Sequence, residues 1–205
     1  MRLSILFLSL SALVFSCKEE IRTEAQLHKW INNPENGLLQ SKTVGGIKIT
    51  AKYLPAQYLA FMEIKDITKP TSKQKDSILS QYSKSLTFLL NISPANQSLD
   101  IMKAGVANME EFKERVAEMN FGISEYISLK TEKDEFSPTL LNLENVYGLK
   151  DDRNIYLVFA NQTKGQNIFS SSNYDLTFQD NIFNSGISHF IFKKKDIDKL
   201  SIKLF

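Results

Sequence analysis

Leu86-Thr87-Phe88-Leu89-Leu90-Asn91-Ile92 is the stretch that decides the fold class. Leu86, Phe88, Leu90 and Ile92 recur at every second position, which lays an unbroken apolar stripe along one face of a strand. Leu89 adds apolar surface on the other face, so the strand is largely buried. Pro94 stops it. Just upstream the period is different: Ser72 to Lys84 brings Ile78, Leu79 and Tyr82 onto one helix face. A switch of period within a few residues places helices and strands in one domain.

Working outward toward the N-terminus, Pro55 opens a helix running to about Glu63, with Tyr58, Leu59 and Met62 inward. Val44 to Leu54 reads as one strand whose Gly45-Gly46 pair marks a bulge or bend. Ile47, Ile49 and Ala51 face one side of it. Asn36-Gly37 marks a turn. Glu24 to Asn33 is a short helix with Leu27, Trp30 and Ile31 at helical spacing, and Pro34 follows its end.

Toward the C-terminus, Asn108 is a helix N-cap with Glu111 as reciprocal partner. Met109, Phe112, Val116 and Met119 form the apolar stripe, and Gly122 stops the helix. Six strands follow: Tyr126–Thr131, Thr139–Tyr147, Asn154–Ala160, Tyr174–Gln179, Ile187–Phe192 and Leu200–Leu204. Ile155 to Ala160 is apolar on both faces and belongs in the middle of a sheet, whereas Tyr174 to Gln179 alternates and shows one face to solvent. Lys193-Lys194-Lys195 reads as a solvated turn. The expected fold is α+β: a mainly antiparallel sheet with two to four helices in the N-terminal half. A β-sandwich with an N-terminal helical attachment is the alternative.

The first residues carry a different signal. Arg2 precedes an apolar run from Leu3 to Phe15, then Ser16, Cys17 and the charged Lys18-Glu19-Glu20. The run falls short of the roughly 20 residues a membrane-spanning helix needs, and its layout is that of a secretory signal peptide. Val14-Phe15-Ser16-Cys17 resembles the lipobox of bacterial lipoproteins. That resemblance implies cleavage between Ser16 and Cys17 and a diacylglycerol on the Cys17 sulfur. Cys17 is the sole cysteine of 205 residues, and a free thiol in an oxidising compartment is otherwise a liability.

The resulting expectation is a removed signal over residues 1–16, a lipidated cysteine with a charged tether over 17–24, and one globular α+β domain over 25–205. Lys18 in second place of the mature chain implies an outer-membrane address. The charged stretch after it resembles the surface-export signal of Bacteroidota lipoproteins. A lipid bilayer is thus the first partner, reached through acylated Cys17.

Composition excludes several function classes. The formal charge of +2 falls to +1 once Arg2 is removed, which argues against nucleic acid as a partner. The chain is 42% hydrophobic and 11% aromatic, enough for a core. With one cysteine, an internal disulfide cannot form. His28 and His189 are too few and too far apart for a zinc site, and the carboxylate groups lack the spacing of a calcium loop. No cofactor fingerprint is present.

Two residues stand out for binding or modification. Trp30, beside the polar turn 32–37, could contact a ligand or partner, though a lone tryptophan at helical spacing more often packs a core. Asp76-Ser77-Ile78 resembles the short O-glycosylation pattern of Bacteroidota envelope proteins, which makes Ser77 its acceptor. The functional expectation is a non-catalytic, membrane-anchored envelope lipoprotein that binds a protein partner as an accessory or structural subunit. A small-ligand or glycan-binding lipoprotein is one alternative. An envelope hydrolase with His189 as its base is another.

Overall fold

The alternating apolar pattern of Leu86–Ile92 becomes the middle strand of a five-stranded antiparallel sheet. The computed structural model describes residues 20–21, 23–96, 99–146 and 149–202. In chain order the elements are β1 (Glu20–Ile21), α1 (Glu24–Ile31), β2 (Leu39–Val44), β3 (Ile47–Leu54), α2 (Ala56–Ile64), α3 (Ser72–Tyr82), β4 (Leu86–Pro94), α4 (Met109–Ala117), β5 (Ile127–Lys130), β6 (Glu135–Phe136), β7 (Leu140–Leu143), β8 (Arg153–Phe159), β9 (Asn173–Asp180), β10 (Gly186–Lys193), α5 (Lys194–Ile197) and β11 (Ser201–Ile202).

The fold is α+β, with two antiparallel sheets sharing one core. The larger has the order β2-β3-β4-β8-β7 and the smaller β10-β9-β5-β6. Their inner faces carry the period-two residues: Ile49, Phe88, Leu90, Leu157 and Phe159 on one, Leu129, Leu176, Phe178, Phe190 and Phe192 on the other, all essentially inaccessible. The sheets meet where the Phe88 ring lies 5.1 Å from Phe192. A single sheet with helices on its face would need more apolar helix surface than this chain owns. Helix α4 buries none of its residues and α3 only Ile78, so the two apolar sheet faces cover each other instead.

The helices close the periphery. Thr23 caps α1 in a reciprocal box with Gln26, and Thr71 does the same for α3 with Gln74. Leu27, Trp30 and Ile31 of α1 join the main core. Ala60 and Ile64 of α2 pack on Ile78 of α3 in a small separate cluster. Tyr58, Leu59 and Met62, expected inward, are instead half-buried. They line a cleft of about 240 Å³ that also takes in Lys52, Leu89 and Tyr156 from the outer face of the larger sheet.

Four local readings change. Gly45-Gly46 is the two-residue loop of a hairpin between β2 and β3, which pair in register from Val44↔Ile47 to Leu39↔Lys52. Both glycines have positive φ, 58° and 79°, as a type I′ turn demands; the pair is not a bulge. Lys194 and Lys195 begin the short helix α5. Glu20–Ile21, expected in the tether, pairs in parallel with Ser201–Ile202, and Ile21 is buried. The apolar Ile155–Phe159 segment is interior, but its outer face is only partly covered and Tyr156 remains 37% exposed.

Candidate functional site

Ser16 and Cys17 lie outside the described residues. Trp30 is 8% exposed and held in the main core. Its place beside Leu27 and Ile31 on one helical stripe drives it inward, and Asn36 Nδ2 donates to its carbonyl at 2.8 Å. Ser77 sits on the exposed side of α3, one residue before buried Ile78. His28 is exposed on α1 with its ring edge-on to Tyr58 at 5.7 Å.

His189 has an orienting carboxylate. Its Nδ1 lies 2.9 Å from Asp175 Oδ2. The nearest hydroxyl, Thr177 Oγ1, approaches that same nitrogen at 3.3 Å. A nucleophile activated by histidine needs the opposite nitrogen. The three residues lie on the outward faces of β9 and β10, with exposed Ile187 and Ile191 to either side of His189. Among the described residues no group of three or more His, Cys, Asp or Glu could hold a metal, and no helix is long and apolar enough to cross a membrane.

A polar hollow of about 540 Å³ lies among Lys48, Asn91, Ser93, Lys150, Asp151 and Asp152, and two clefts with more apolar walls lie at opposite ends of β4. One is built around α4. Asn108 Oδ1 caps this helix, accepting from the amides of Glu110 and Glu111, while Glu111 reaches back to the Ala107 amide at 2.9 Å. The helix continues through one π turn, Glu118–Gly122. Its stripe is only half used: Met119 is buried, Phe112 and Val116 are half-buried and Met109 is 67% exposed. Phe112, Val116 and Met119 join Met102, Leu143 and Val146 around a cleft of about 400 Å³. Phe112 and Met109 also line an apolar depression of about 270 Å³ beside Val106.

Leu99, Phe121 and Leu149 are exposed by 47%, 86% and 87%, and each lies within three residues of a residue lining one of these hollows. The arginines nearby are spent on the protein itself. Arg115 donates to the carbonyls of Ile101, Met102 and Ala104, and Arg153 is locked to Asp100. The exposed side of α4 is mixed in charge, with Glu110 paired to Lys113 at 3.6 Å and Glu111 held in the cap.

The second cleft, about 450 Å³, opens at the other end. Tyr53 comes from the larger sheet and Tyr174 from the smaller, and both rings are more than nine-tenths buried. Gln57, Ser83 and Ser85 supply polar groups, and Phe169, 36% exposed, an aromatic face. Lys194 and Asp198 of the α5 region pair across the wall at 3.1 Å. Burial pushes the Tyr53 phenol far above its ordinary range, with Tyr174 and the Asp198 charge adding to it. Tyr174 is pushed up to about 12, chiefly by burial and then by the charges of Asp198 and Glu132. Both phenols are protonated at neutral pH, and a protonated phenol can donate as well as accept a hydrogen bond.

The sequence does not pair Tyr53 with Tyr174, because their meeting depends on how two sheets stack; Tyr174 is legible only as one of the aromatics of the C-terminal strands, which read as sheet core or the lining of a groove. The local signal for their burial was parity: Tyr53 continues the inward series of Ile47, Ile49 and Ala51, and Tyr174 that of Leu176 and Phe178. No family model matches the chain, and no curated protein matches it. Among solved structures it is similar to a Burkholderia pseudomallei protein described as a novel protein of unknown function, at 10% identity over 86% of this chain and 90% of that one, with a TM-score of 0.39.

Proposed function

We propose that this protein is a lipid-anchored lipoprotein of the bacterial outer membrane, non-catalytic, which docks on an envelope protein partner as an accessory or structural subunit. The anchor reading is supported by the signal-like segment and by the lone Cys17 directly after Ser16. It also gives the partner surface a fixed position. Strand β1 begins three residues after Cys17 and is paired to β11, so an acylated chain holds the domain against the bilayer.

The observation that carries the docking reading is the α4 end. Met102, Met119, Phe112 and Val116 line a cleft there, and Leu99, Met109, Phe121 and Leu149, each close in sequence to a lining residue, are exposed apolar side chains of the kind that marks interaction sites. Methionines at such a surface adapt to a partner's shape.

Two measurements test the proposal. Mass spectrometry of the native protein should find the chain starting at an acylated Cys17; an unmodified thiol would end the anchor reading. Detergent extraction and native purification should give a stoichiometric complex that is lost in the Met109→Glu/Phe121→Glu variant. A monomer from both wild type and variant would refute docking.

A further inference from the structure

The tyrosine cleft has a chemistry that docking at the α4 end does not use. No hydrogen bond to another described residue occupies either tyrosine hydroxyl, and neither oxygen is among the described buried polar atoms left without a partner, so both hydroxyls stay accessible at the cleft. Both side chains line the same cleft. Two donors, each on a ring more than nine-tenths buried and converging from different sheets, form a preorganised site.

We infer that the cleft between Tyr53 and Tyr174 is a binding site for a neutral sugar, a mono- or disaccharide. The volume of about 450 Å³ lies in the range of small-molecule sites. The wall alternates apolar and polar character, as the ring faces and hydroxyls of a sugar do. Phe169, Ile197 and Leu86 present apolar surface. Gln57 offers both a donor and an acceptor. The two phenols donate to sugar oxygens, and Asp198 can accept from a sugar hydroxyl. The charged groups at the wall cancel, since Lys194 and Asp198 already pair with each other. The cleft therefore has no net charge with which to select an ionic ligand.

The test uses the mature full-length protein in detergent. Ligand-observed NMR and calorimetry would be run with glucose, galactose, mannose, N-acetylglucosamine, maltose and cellobiose, and with glucosamine and glucuronate as charged counterparts. At least one neutral sugar is expected to bind saturably and more tightly than either charged sugar. The Tyr53→Phe/Tyr174→Phe variant keeps both rings and removes only the two donors, so its thermal midpoint should stay close to wild type while affinity falls at least tenfold. Gln57→Ala, at an exposed position, gives a second weakening that does not disturb the core. The inference is overturned if no neutral sugar binds, if a charged sugar binds better, or if the double phenylalanine variant binds as wild type does. The Met109→Glu/Phe121→Glu variant should bind sugar normally, which separates this site from the docking surface.

Discussion

Arg153 grips both carboxylate oxygens of Asp100 through Nη2, at 2.8 and 3.0 Å. The two residues are 53 positions apart and their side chains are 10% and 18% exposed. The guanidinium also donates through Nη1 to the carbonyls of Lys150 and Asp152, while Asp100 caps the short turn at Ile101–Lys103 through the Met102 amide. One fork therefore ties the segment ahead of α4 to the start of β8 and sets the rim of the methionine-lined cleft.

Removing one half of that fork leaves the other charge buried and unpaired. Asp100→Ala should cost about 3 kcal/mol of unfolding free energy. Adding Arg153→Met should restore part of the loss. Chemical denaturation of both variants checks this, and a double variant no more stable than Asp100→Ala would show that the pair is not coupled.

Phe88 is the joint between the two sheets. It is fully buried and its ring meets Tyr53, Phe159 and Phe192 at 5.4, 5.9 and 5.1 Å. Phe88→Ala should destabilise the protein by about 3–5 kcal/mol. Phe121→Ala, at an 86% exposed position, should change the denaturation midpoint little.

Gly45 has φ of 58° and no neighbouring atom within reach of an added Cβ. Any cost of replacing it is therefore backbone strain, not a clash. Gly45→Val should cost roughly 1–2 kcal/mol, and Gly45→Asn should cost less because asparagine tolerates the left-handed region. Equal midpoints for the two variants would contradict the type I′ assignment of this hairpin.

Glu132 staples the segment before β9. Its carboxylate accepts from the hydroxyls of Ser171 and Ser172 and from the amides of Ser172 and Asn173. The Ser171 hydroxyl first, then that of Ser172, holds its pKa down from 4.5 to about 2. A depressed carboxylate pKa means that the folded state favours the ionised form. The contribution is therefore complete above the ordinary value of 4.5 and fades as pH falls toward 2. Carboxyl NMR titration should give a midpoint near the lower value. Glu132→Gln should flatten the acid side of the stability profile in that window.

How far the sequence could be read follows from which residues carry a period. Strands β4, β9 and β10 were legible because one face of each is buried, and burial writes an alternating pattern into the sequence. Strand β2 is an edge with both faces largely exposed, so Leu39–Val44 has no alternation, and Gly45-Gly46 looked like a bend in one strand. Helix α5 is one turn long, too short for a helical period. The caps at Asn108 and the turn at Asn36-Gly37 were visible because their chemistry is local.

The sequence alone thus determined the α+β class, the longer helices and the inward series on strands such as β4, β9 and β10, all of which depend on residues close together in the chain. Tertiary structure alone decided that the strands divide into two stacked sheets. It also decided that Asp100 meets Arg153 and that Tyr53 and Tyr174, 121 residues apart, share one cleft. Such meetings follow from the packing of apolar faces over the whole molecule, and that packing carries no local spacing from which it could be read.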